Sequence, residues 1–174
     1  MKYLSISLFL LLVISCGDLA KRNKIDKINA LKAIIERDDM KVSDSIVNES
    51  IQAFQSYAKL YPEDSITPQY LFDAAALYRR YFHSPEPAYE LYSKIYTKYP
   101  HFSKRPECLF LQGMVLSDEM NMKKEAEEKY MQFAKDYPNH FLAPSIPILI
   151  EQLNMTDEEI IASFKSKHQS DTLK

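Results

Sequence analysis

The side chains in this chain that could carry chemistry are four histidines, two cysteines and several paired carboxylates. The histidines His83, His101, His140 and His168 are too far apart for any two to hold a metal from one helical turn. All four fall in expected loops or the tail, where loop polarity accounts for them. Cys108 lies at the start of an apolar run. A reactive thiol needs an activating base or cation within reach, and none is evident, so Cys108 is expected to be a buried packing residue. The pairs Glu127-Glu128 and Glu158-Glu159 could serve acid–base catalysis, but they stand on polar faces and read as solvated helix surface. With only two glycines, Gly17 and Gly113, neither a phosphate-cradling loop nor a dinucleotide fingerprint can be built. No catalytic, cofactor or metal residue is therefore expected, and the chain is read as a non-enzyme. A net charge of −2 points to no nucleic-acid partner.

The elements that such side chains would sit on recur. AYELYSKIYTKYP, ending at Pro100, is repeated 38 residues on as AEEKYMQFAKDYP, ending at Pro138. SIQAFQSYAKLYP, ending at Pro62, is an earlier copy. Pro68, Pro106 and Pro144 keep the same interval, and a period of this size marks a stacked-repeat architecture. Ala88, Leu91, Tyr92, Ile95, Tyr96 and Tyr99 fall at steps of three and four, an apolar stripe at helical spacing. Ala126, Tyr130, Phe133, Ala134 and Tyr137 do the same. The proline ends each helix because the residue before it is pushed out of the α region. A second apolar run opens at Pro68, Pro106 and Pro144, and proline is tolerated at a helix start. Twelve tyrosines and nine phenylalanines fall mostly on these stripes and are read as core.

This unit of helix, turn and helix resembles the tetratricopeptide repeat. Ala88, Tyr92, Ile95 and Pro100 match the family's second helix, as do Ala126, Tyr130, Phe133 and Pro138. Ser50, Phe54, Tyr57 and Pro62 match in the first copy, and Ala75 and Gly113 fit the small position where two helices cross closely. The sequence departs from the family in its period, which is usually 34 residues, and in Leu71 and Leu109, which stand where an aromatic is usual. The resemblance spans residues 24–150. It implies an all-α, right-handed solenoid of antiparallel helix pairs: about three units plus a C-terminal capping pair, over residues 28–167.

At the amino terminus Lys2 precedes a hydrophobic run of twelve residues, Tyr3 to Ile14. That is short for a bilayer span and the right size for a secretory signal. The run ends in Val13-Ile14-Ser15-Cys16, which resembles the bacterial lipoprotein signal. The resemblance implies that residues 1–15 are removed, that Cys16 is diacylated and that its new amine takes a third, palmitate-type chain. An ordinary cleavage site and an uncut anchor are the alternatives. Each buried methylene contributes about 0.8 kcal/mol, so several chains hold a protein on a membrane unaided. Asp18 stands one place beyond the position that favours inner-membrane retention in enteric bacteria, so the periplasmic face of the outer membrane is the expected location. In a bacterial lipoprotein the glycosylation patterns at Asn48 and Asn154 are chance matches.

Residues 16–27 are expected to form the lipidated N-terminus and a linker. Lys21, Arg22, Lys24 and Lys27 make it basic, suited to anionic headgroups or to a solvated first helical turn. A helix is expected from about Ile25 to Arg37, with Ile28, Leu31, Ile34 and Ile35 inward and Asp38-Asp39 as its end. Ser43 or Asp44 is a candidate cap for the next helix, and Asn121 suits a left-handed turn. Pro147 delays the start of the last repeat helix. Thr156 to Glu159 reads as a capping box before a helix carrying Ile160, Ile161 and Phe164, and residues 168–174 form a polar tail.

In this family the first helices line a concave groove that binds peptide segments. By register from Ala75 and Gly113, the candidate groove residues are Phe72, Ala76, Arg79, Arg80, Phe110, Met114, Ser117 and Asp118. Arg79 and Arg80 could grip a partner carboxylate through paired hydrogen bonds, or simply favour the C-terminal dipole of their helix. The expected function is a lipid-anchored, non-enzymatic adaptor for envelope proteins. Two resemblances point that way: the repeat lipoprotein of the outer-membrane β-barrel assembly machine, and the repeat protein that works with the Tol-Pal system. An accessory subunit or enzyme acting on cell-wall material, with Asp118 as its carboxylate, is one alternative, and a structural spacer is another.

Overall fold

Prolines and caps set the helix boundaries, as the sequence pattern requires. The structure is a computed structural model; it describes residues 2–37, 42–156, 158–159 and 162, with side chains from Asp18 onward. The Asp38-Asp39 stop, the Ile160, Ile161 and Phe164 stripe, His168 and the 168–174 tail lie outside the described residues. So do the side chains of residues 2–17, Cys16 among them. The elements are α1 (Lys2–Arg37), α2 (Asp44–Leu60), α3 (Thr67–Leu77), α4 (Pro85–Lys98), α5 (Arg105–Met114), α6 (Lys123–Asp136) and α7 (Ile146–Leu153), and no strand occurs among the described residues. The protein is all-α, and helices adjacent in sequence pack in pairs.

The three Tyr-Pro pairs produce one backbone geometry. Tyr61, Tyr99 and Tyr137 leave the helical region at φ −129°, −123° and −133°, with ψ 60°, 71° and 54°. Each still donates its N–H to the carbonyl four residues back, on Tyr57, Ile95 and Phe133. The N–H groups of Asp64, Phe102 and His140 then bond the tyrosine carbonyls at 3.1–3.2 Å. Those of Thr67, Arg105 and Ala143 bond the next turn at 2.9–3.0 Å. Pro68 and Pro106 stand in the first turns of α3 and α5, where a missing N–H leaves nothing unpaired. Pro144 lies in a short 3₁₀ turn, and Pro147 starts α7 later, as expected.

The first helices of the repeats end in a way the pattern did not signal. Tyr78–Phe82 and Val115–Glu119 widen into π turns, closed by His83 N–H to the Tyr78 carbonyl and Met120 N–H to the Val115 carbonyl. His83 (φ 47°) and Asn121 (φ 55°), one repeat apart, then adopt the left-handed conformation. Asparagine and histidine are among the side chains that tolerate it best.

Contacts divide the chain into two units that meet between His83 and Ser84. In the first, α2 buries Val47, Ile51, Phe54 and Tyr57, and α3 buries Tyr70, Leu71, Ala74, Ala75 and Leu77. The Tyr70 ring stacks on Phe54 and meets Tyr57 edge-on, with centroids 5.6 and 5.0 Å apart. Ser43 caps α2. Ser50, in the small position, is buried with its hydroxyl donating to the Ile46 carbonyl at 2.8 Å.

Two expectations for α1 need correction. Ile28 and Leu31 are buried, but Ile34 is 36% exposed, so the inward stripe is narrower than its spacing suggested. The helix also runs from Lys2 and does not begin near Ile25, so the segment expected as a linker is helical. No proline interrupts it, and its cations find partners in the fold. Lys27 pairs with Glu49 at 2.8 Å. Lys21 pairs with Asp64 at 2.5 Å, and Asp64 also accepts from the Tyr57 hydroxyl at 2.7 Å and the Ile66 N–H at 3.1 Å. The hydrogen bonds from Lys21 and then Tyr57 hold the Asp64 carboxyl down at about 2.

In the second unit, Leu109, Leu116, Ala126, Tyr130, Phe133, Ile146 and Leu153 form one core cluster. Ala88, Tyr92 and Ile95 are buried on α4. Arg105 ties the unit's turns together: its Nε donates to the Tyr96 carbonyl at 2.9 Å and its Nη1 to the Tyr137 hydroxyl at 2.6 Å. Its guanidinium lies 4.1 Å from the Tyr96 ring centre, while burial pushes the Tyr96 phenol up to about 12. Cys108 is fully buried, as expected, and burial pushes its thiol up to about 12. His140 corrects the reading of a solvated loop histidine. Its ring meets Phe133 edge-on at 5.4 Å, and its Nδ1 accepts from the Leu142 N–H. The capping box forms as expected: Thr156 N–H bonds Glu159 Oε2 at 2.8 Å, and Glu159 N–H bonds Thr156 Oγ1 at 3.3 Å.

Gly113 marks a close crossing of α5 and α6. A Cβ there would stand 2.5 and 2.8 Å from the buried Tyr130 ring carbons. Gly113→Ala should therefore lower stability by about 1–2 kcal/mol, because overpacking outweighs the helix-propensity gain. An unchanged or raised urea midpoint would contradict the close crossing. For Asp64, the folded carboxyl lies below its ordinary value of 3.8. Its contribution is complete above that value and is lost as pH falls toward about 2. The stability gap between wild type and Asp64→Asn, measured by urea unfolding, should be widest above pH 3.8 and close below it.

Candidate partner-binding cleft

The first helices that flank α2 leave an open cleft between them. Lys32, Ile35 and Glu36 of α1 form one wall, Asp73, Ala76 and Leu77 of α3 form the other, and Phe54 of α2 lies at the base. The sequence explains the shape. Ala76 adds little bulk to the α3 wall, and Ile35 is half-buried on the α1 wall. The volume is about 210 Å³. That is below the roughly 300–1,000 Å³ of pockets that enclose small-molecule ligands. It suits one or two side chains of a segment laid across the surface.

One charged pair spans the cleft. Lys32 Nζ lies 2.7 Å from Asp73 Oδ2, and Gln69 Nε2 donates to Asp73 Oδ1 at 2.6 Å. Both Asp73 oxygens are thus engaged from the protein side. The ammonium keeps further N–H donors to offer, and its side chain is 34% exposed. The cleft therefore presents an apolar floor with a mixed-charge edge of Lys32, Glu36 and Asp73. A second hollow of about 190 Å³, between Lys24, Lys27, Glu49, Gln52, Ala53 and Ser56, has no large apolar side chain to anchor a partner.

The candidate residues read from the sequence divide four and four between the two units. In the first, Ala76 is exposed and lines the cleft, and Phe72 is half-buried on α3. Arg79 and Arg80 stand on the π turn, with the Arg80 guanidinium 5.7 Å from the Tyr81 ring centre. In the second unit, Phe110 packs on Tyr130 and Phe133 at 5.9 and 5.6 Å, and Met114 lies against the same cluster. Ser117 donates to the Met114 carbonyl and to Asp118 Oδ1. Asp118 is exposed and held by that serine. Lys32, Asp73, Ile35 and Phe54 were missed as cleft residues. The available signal was the opposite charge on two successive first helices, but α1 lacks the repeat register that would have aligned them.

Residues 107–140 match the family model of the tetratricopeptide repeat. That stretch covers α5 from its first turn, the π turn, α6 and the Tyr137-Pro138 turn. No curated protein matches the chain at a significant level. Within the all-helical fold, this one stretch is thus similar to a tetratricopeptide repeat, a type of module that typically binds proteins and typically lacks catalytic activity.

Asp73 organises the cleft edge. Asp73→Ala should release Lys32 and Gln69 and cost about 1 kcal/mol of stability, the usual range for a partly exposed charged network. Thermal melts check this, and an unchanged midpoint would show that the pair does not order the wall.

Proposed function

We propose that the protein is a lipid-anchored, non-enzymatic adaptor of the bacterial cell envelope that holds a segment of a partner protein in the α1–α3 cleft. The observation that carries the binding part is the cleft itself, with Phe54 beneath, Leu77 and Ile35 at its sides and Lys32 at its edge. A small apolar recess with a charged rim suits a side-chain anchor on an extended or helical segment. The tetratricopeptide match supports a protein as the ligand. The membrane part is carried by Val13-Ile14-Ser15-Cys16 after a short apolar run. In this reading residues 1–15 are the signal, Cys16 bears the acyl chains, and the protein faces the periplasm from the outer membrane. The partner is an envelope protein, and components of the barrel-assembly and Tol-Pal systems are the first to examine.

Two measurements test this. Cells fed labelled palmitate should label the wild type and not Cys16→Ser, and the variant should leave the membrane fraction; equal labelling would remove the anchor. A photo-crosslinking amino acid at position 76, in intact cells, should capture an envelope protein, and a bulky Ala76→Trp should abolish its binding. Ala76 is exposed, so that variant should keep the wild-type melting temperature. Binding that survives Ala76→Trp would move the partner site elsewhere.

A further inference from the structure

We propose that the end of the first unit built from the amino-terminal part of α1 and the turn at residues 61–66 lies against the bilayer as a lipid-facing surface. The inference rests on the reading of Cys16 as the acylated residue. The antiparallel order brings the start of α1, the end of α2 and the start of α3 to one end. The Lys21–Asp64 pair fixes them there, with Lys21 Nζ also 5.5 Å from the Tyr61 ring centre. Cys16 belongs to the same continuous helix, five residues before Lys21. At 1.5 Å per residue that is about 7.5 Å along the axis, with no linker between anchor and fold.

The surface at this end has a matching composition. Leu19, Leu60 and Ile66 are 58%, 54% and 37% exposed. Among the described side chains of the first unit, the other large apolar one this exposed is Ile34, near the far end of α1. Lys21, Arg22 and Lys59 are balanced by Asp18, Glu63 and Asp64. The surface therefore has no net charge to seek anionic headgroups, and shallow insertion of the leucines and isoleucine would hold it. Acyl chains leaving the same end place a bilayer, before any protein, against it.

The test uses the full-length acylated protein in phosphatidylcholine vesicles. Leu60→Cys, Ile66→Cys and Ile34→Cys are each labelled with an environment-sensitive fluorophore; the buried Cys108 thiol should not react. Probes at 60 and 66 should shift to the blue and be quenched by lipids spin-labelled near the headgroup, while the probe at 34 should not. Adding phosphatidylserine or salt should change neither result. If the protein floats with the vesicles but probes at 60 and 66 behave like the one at 34, the anchor stands and the lipid-facing surface is overturned. Quenching between labelled copies in place of quenching by lipid would assign the surface to a second copy and overturn it too. A chain that takes up no palmitate and does not float removes both readings together.

Discussion

A residue that precedes proline is driven out of the helical region, and the architecture of this chain depends on that constraint acting three times. Tyr61, Tyr99 and Tyr137 stop their helices with nearly the same dihedrals, and two hydrogen-bonded turns then restart the chain in the opposite direction. The interval between prolines sets the helix length, and the helix length sets which side chains face which. The small residues Ser50, Ala88 and Ala126 recur where helices approach, and Tyr57, Ile95 and Phe133 recur one turn before the stop. Because the turn geometry is repeated, so is the placement of one helix on the next within each unit.

The turns are then elaborated differently. In the first unit the turn carries Asp64, whose carboxylate gathers Lys21, Tyr57 and the Ile66 amide. The equivalent turns carry Phe102 and His140, and the second unit is tied instead by Arg105 between Tyr96 and Tyr137. The first unit therefore adds charge pairs to the burial of Ile28 and Leu31 in holding a preceding helix, whereas the second joins its own turns through a guanidinium. Recruitment of α1 has a further consequence. It supplies Lys32, Ile35 and Glu36 as a wall, and without that wall α3 would present a flat face in place of a cleft.

Much of this was legible in the sequence because it is periodic. The helix stops, the inward stripes of α2, α4 and α6, the Ser43 cap, the Thr156 capping box and the burial of Cys108 all follow from spacing and residue type. What was not legible was what periodicity does not encode. The continuous α1 was hidden because partners of its cations, Asp64 and Glu49, are distant in sequence. The π turns leave no compositional mark beyond His83 and Asn121 standing one repeat apart. His140 shares a loop position with ordinary polar residues, and only the fold puts Phe133 against its ring. Of the candidate groove residues, Ala76 lines the cleft that forms, since register from the repeats reaches α3 but not the divergent first helix.

The central physical claim is that α1 is packed as the first helix of its unit from Asp18 onward, so that its amino-terminal part and the cleft wall are one continuous helix. Hydrogen–deuterium exchange on the intact protein tests this most directly. Amides of residues 21–35 should exchange as slowly as those of α3, and lose protection together with them as denaturant is added. Fast exchange over residues 18–27, with α2 and α3 still protected, would show a loose segment and contradict the account.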